Sequence, residues 1–82
     1  MKDQTYEDFI RDTIYLIRER GATATEAFRH SSSKFDEGRD VAFREVLAML
    51  QSQAHAFGID PATVCLDGFD PLRDSLAPPS SS

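Results

Sequence analysis

One amphipathic run, Ser33 to Phe57, closed by Gly58-Ile59-Asp60-Pro61, constrains the fold of this chain more than any other feature. Ala42, Phe43, Val46, Leu47, Met49, Leu50, Ala54 and Phe57 recur at three- and four-residue steps, the spacing of one helix face. Ser33 with Asp36 three residues later makes a capping-box-like start, and Asp36 and Glu37 place negative charge where the helix dipole favours it. At the other end Gly58 suits the left-handed closing position, Ile59 can fold back on the last turn, and Pro61 forbids continuation. The run therefore predicts one long helix over about 33–57.

The segments before it predict shorter helices. Thr5 can cap a first helix in which Tyr6, Ile10, Thr13 and Ile17 form a stripe, with Phe9, Ile14 and Leu16 adding apolar surface and Tyr15 off the line. Gly21, after Arg18 and Arg20, is placed to stop that helix. Residues 22–34 then read as a short connecting helix and a corner, with Phe28 folding back as a plug before Ser31-Ser32-Ser33. After the long helix, Asp60-Pro61 and Asp70-Pro71 each pair an N-cap with a residue pre-set for the first helical position. They predict short helices near 61–66 and 71–76. The expected fold is all-α: a helical hairpin with one long helix, in a single small domain over 1–76 followed by a disordered tail over 77–82.

A length comparison then points to a partner. A first helix of some 16 residues spans roughly 24 Å and a long one of some 24 residues roughly 36 Å, so part of the apolar line has no cover within its own chain. Surplus apolar surface of this kind marks association sites, and the commonest solution is a two-fold dimer. A homodimeric four-helix bundle is expected, with Phe35, Gly38, Ala42, Phe43, Val46, Met49, Leu50 and Phe57 at the interface. Gly38 costs about 1 kcal/mol relative to alanine inside a helix, which close approach of a twin helix would offset. Arg39 falls near the same surface, and Asp40 and Arg44 are spaced to pair on its flank.

Charge and composition narrow the function classes. Nine Lys plus Arg stand against fourteen Asp plus Glu, a net charge of -5, and the basic residues are scattered. Binding to a nucleic-acid backbone needs them concentrated, so no nucleic-acid partner is expected. Residues 60–82 hold Asp60, Asp67, Asp70 and Asp74 against Arg73 alone, and this acidic segment is a candidate partner-binding strip through Asp67, Phe69, Asp70, Leu72, Asp74 and Leu76. No run approaches the roughly 18 apolar residues of a membrane span, and Met1-Lys2-Asp3-Gln4 leads into a charged helix rather than a signal segment. With Cys65 the single cysteine, the expected compartment is the cytoplasm.

No catalytic constellation emerges. His30 and His55 belong to no metal-binding pattern, although Glu26 and His30 are four apart, and Cys65 has no base beside it in sequence. Asp36, Glu37 and Asp40 cluster, but their place at a helix start already explains them. Neither cofactor nor metal is expected. The aromatic residues Tyr6, Phe9, Phe35, Phe43 and Phe57 suit a core better than a ligand cavity. The expected function is a small, acidic, non-enzymatic, homodimeric interaction module, an adaptor or regulatory accessory protein with a protein partner. The alternative is an inhibitor, antitoxin or immunity-type protein that blocks a basic site.

Overall fold

The computed structural model of the protein describes residues 2–78. Two helices and a 3-10 turn make up its regular structure: α1 spans Lys2–Ser31, α2 spans Lys34–Ala56, and the 3-10 turn spans Pro61–Val64. Among the described residues there are no strands. The helices form a hairpin joined by Ser32 and Ser33 alone, and the chain after α2 runs back along it as an irregular strap, residues 65–78.

The first helix differs from expectation. It begins before Thr5 and passes through Gly21 without a break, so the connecting helix and corner over 22–34 do not exist as separate elements. Ala22, Ala24 and Ala27 are strong helix formers, and Glu26 pairs with both Arg29 and His30 one turn on. These local preferences carry the helix past one glycine. Gly21 is buried for a packing reason: a Cβ there would lie 3.1 Å from Leu76 Cδ1 and 3.3 Å from Phe43 Cβ. It is the point where α1 approaches both α2 and the strap.

This overturns the length comparison. At 30 residues α1 is longer than the 23 of α2, so α2 has no overhang.

The hairpin turn and both ends of α2 follow the sequence signals. Ser32 takes a positive φ of 56°, and the Ser33 hydroxyl accepts the Asp36 amide at 3.1 Å. Asp36 in turn accepts the hydroxyls of Ser31 and Ser33, in place of the Ser33 amide of a standard capping box. At the C-terminus Gly58 has φ +70°, its amide bonds to the His55 carbonyl, and the Ile59 amide bonds to the Ala54 carbonyl at 2.8 Å. That pair of bonds is a Schellman closure.

Beyond it, Asp60 caps the 3-10 turn through the Ala62 amide, and Cys65, at φ 61°, ends it. The helix expected at 71–76 is instead a turn. Asp70 accepts the Leu72 amide, and Asp74 reaches back to the Asp70 amide. So short a helix is marginal alone, and here the packing of Pro71 and Leu76 decides the path. Of the tail expected over 77–82, Ala77 is instead buried and the Pro78 carbonyl accepts Arg29, while 79–82 lie outside the described residues.

The core lies between the helices and under the strap. Ile14, Leu47, Ala54, Val64 and Leu66 are its buried members, with Phe69 and Leu76 of the strap packed against them. Burial of such side chains is worth about 1.5–3 kcal/mol each.

Candidate interaction surfaces

Helical geometry gives the hairpin two broad sides. On one, polar side chains of both helices reach up and hold the strap by its main-chain carbonyls. Arg18 donates to Cys65 O at 2.8 Å while its guanidinium lies 4.0 Å over the Phe69 ring. Gln51 donates to Leu66 O and Phe69 O, Arg44 to Pro71 O and Asp74 O, and Arg29 to Pro78 O and the Ser75 hydroxyl. Under Arg44 sits Asp40, 6% exposed, which accepts the Thr25 hydroxyl from α1 and Arg44 Nε at 3.0 Å. The expected flanking pair of Asp40 and Arg44 is thus a buried junction of α1, α2 and strap, and Thr25 is its member that sequence spacing did not show.

The opposite side carries no strap. Its surface on α1 includes Tyr6, Phe9 and Leu16, and on α2 Phe35, Val46, Met49 and Phe57. Tyr6, Phe9, Phe35 and Phe57 are 64, 67, 74 and 73% exposed, unusual for aromatic rings in so small a protein. Where the helix ends meet the chain that follows α2 lies an apolar hollow of about 120 Å³, lined by Ile10, Leu50, Phe57, Val64 and Leu66, with Gln53 as its polar lining residue. Among the described residues the cations on this face are Arg20 and Arg39. Arg39 pairs with Asp36 at 3.8 Å, whereas Arg20 has no hydrogen bond or ion pair among the described residues.

The expected interface residues divide between these environments. Phe35, Ala42, Val46, Met49 and Phe57 lie on the open side; Phe43 and Leu50 are half-buried between the helices. A Cβ on Gly38 would meet nothing within 4 Å, so within the chain the close approach is at Gly21. Tyr6 of the expected α1 stripe and Phe9 of the aromatic set expected in the core are exposed instead, as is Leu16. The signal was present: positions 6, 9, 13, 16 and 20 make a second stripe beside the buried one.

Of the acidic strip, Phe69 and Leu76 pack inward, leaving Asp67, Asp70, Leu72 and Asp74 exposed. Between strap and α2 a cleft of about 410 Å³ includes His55, Gln51 and Asp70; between strap and α1 another of about 420 Å³ includes Tyr15, Arg18 and Cys65. The Glu19 carboxylate, by hydrogen bond and by charge, raises the Tyr15 hydroxyl above its ordinary pKa of 10.0. Glu26 bonds His30 at 3.0 Å on the surface. Among the described residues no three His, Cys, Asp or Glu side chains are grouped to hold a metal, and no helix is long and apolar enough to cross a membrane.

Compared with known proteins, the chain matches no family, no curated protein and no solved structure.

Proposed function

We propose that the chain is a non-enzymatic, homodimeric interaction module, an adaptor or regulatory accessory protein that self-associates through the open side of its hairpin. One observation carries this reading: exposed rings and aliphatic side chains on both helices share the side that the strap leaves bare. Contiguous apolar surface of this kind is a usual mark of association. The hairpin measures 44 × 22 × 22 Å, so one broad side matches the roughly 800 Å² per partner that stable interfaces bury. The same reading puts the protein in the cytoplasm, where a lone thiol such as Cys65 stays reduced. Light scattering at micromolar concentration tests it: twice the chain mass is expected, and a compact monomer overturns it.

A second reading, blockade of a basic site on a partner, draws on the strap. Asp67, Asp70 and Asp74 face outward around Leu72, itself 67% exposed. Removing the strap is no test, because Leu66 belongs to the core and Phe69 and Leu76 pack against it. The pair Asp67→Lys and Leu72→Ser leaves the core intact. This reading expects loss of binding in the pair and steep weakening with salt, since exposed charges are screened within about 8 Å at physiological ionic strength. Salt-insensitive binding favours the adaptor.

A further inference from the structure

We infer, resting on the self-association reading, that the second copy docks head to tail: α1 against α1 and α2 against α2, about a two-fold axis level with Leu16 and Met49. Three observations lead there. First, the open side carries a regular seam on each helix, at 6, 9, 13, 16 and 20 on α1 and at 35, 39, 42, 46, 49 and 53 on α2. Alternating three- and four-residue steps are the spacing by which helices interlock side by side. Another hairpin with the same two seams is the simplest surface that matches both at once.

Second, the face is tapered. The Thr25–Asp40 bond and the Gly21–Phe43 approach fix which residues are level across the hairpin. Tyr6, Phe9 and Phe57 stand at the open end, Leu16 and Met49 in the middle, and Ala27 and Ala42 toward the turn. Phe35, with Arg39 6.0 Å over its ring, is the bulky exception at the turn. Docking with like ends together would crowd rings against rings and leave alanines facing alanines. Reversal places Tyr6 over Ala27 of the second copy and Ala42 beside its Gln53. Large on small is how packed helices fill space.

Third, the charges agree. With like ends together, Arg20 and Arg39 of both copies would gather at one end, where the Asp36 beside each Arg39 is the carboxylate at hand. Head to tail, Arg20 comes level with Thr13 of the second copy, and Arg39 with its Phe57 ring. A guanidinium over an aromatic face is a favourable contact. Neither Thr13 nor Gln53 spends its side chain on a hydrogen bond among the described residues, so both have acceptors to offer.

The test is a distance between copies. A spin label at Phe35→Cys in a Cys65→Ser background sits at the turn end of the open side. Head-to-tail docking puts the two labels at opposite ends of the bundle, about 40 Å apart at 1.5 Å per residue, whereas like-end docking puts them within about 25 Å. Pulsed electron paramagnetic resonance reads the distance, and light scattering on the same sample reads the mass. A dimer with the long distance supports the inference. A dimer with the short distance overturns it while sparing self-association, and a monomer of the unlabelled parent overturns both. If the label itself separates the copies while the parent stays dimeric, Ser31→Cys replaces it, with the same two distances deciding.

Discussion

The two sides of the hairpin are cut from the same helices yet finished differently. On the strap side Arg18, Arg29, Arg44 and Gln51 each end on a main-chain carbonyl, and the apolar residues beneath are roofed by Leu66, Phe69 and Leu76. On the open side rings stand in solvent and Arg20 makes no hydrogen bond or ion pair among the described residues. A run of fourteen residues can roof one groove of a two-helix hairpin and no more. The difference teaches that the exposed apolar surface comes from the number of elements, two helices and a strap, and not from unequal helix lengths. A small chain has too little cover for all its apolar faces.

Substitutions can break or sharpen this contrast. The largest effect is expected from Asp40→Ala, which strips acceptors from both Thr25 and Arg44 under the strap. Urea unfolding should show a loss of about 3 kcal/mol, in the range for removing one partner of a buried charge pair. A loss below about 1 kcal/mol would mean the junction does little for the strapped side. Gly21→Leu should cost about 1–3 kcal/mol by overpacking against Phe43 and Leu76. Hydrogen exchange should quicken in strap amides first, and uniform quickening would deny that Leu76 is a separable contact. Gly38→Ala has open space for its methyl and should gain up to about 1 kcal/mol in thermal melts, dimer or not. A destabilised variant would return Gly38 to the interface.

Phe9→Ser probes the bare side. At concentrations low enough for monomers its unfolding free energy should stay within about 0.5 kcal/mol of the parent, as for other exposed positions. At high concentration the parent should melt higher and the variant should not, because association stabilises only what can associate.

The smallest effect belongs to Asp36. The hydroxyl of Ser31, then that of Ser33, then the charge of Arg39 hold its carboxyl below the ordinary 3.8. A folded-state pKa below the unfolded one means the contribution is complete above the unfolded value and fades as pH falls through the folded value. Acid should therefore loosen the start of α2 below about pH 3.8. An NMR titration of Asp36 should show its midpoint move up in Ser33→Ala, and an unmoved midpoint would remove the hydroxyl from the explanation.

Local signals in the sequence were legible where chemistry is local. Ser33, Asp36, Gly58 and Asp60 act within a few residues of themselves, and the caps and turns they promised are present. The packing role of Gly21 was not legible, because a glycine's role inside a helix depends on what packs against it, and Leu76 is 55 positions away from Gly21. Asp70-Pro71 carried the signature of a helix start, but a six-residue helix could not compete with burying Pro71 and Leu76 on the hairpin. Of the open side, the half on α2 was legible as one stripe. The half on α1 was not, since two stripes overlap there and spacing alone does not say which one is roofed.

The grip on the strap has a consequence for how this chain can vary. Carbonyl groups are common to all twenty amino acids, so Gln51 and Arg44 fasten the backbone without inspecting what it carries, and beyond the carbonyls only Phe69, under Arg18, and Ser75, bonded to Arg29, are held by their side chains. The outward positions Asp67, Leu72 and Arg73 can be rewritten freely while the scaffold stays in place, which makes the strap a replaceable label on a constant frame.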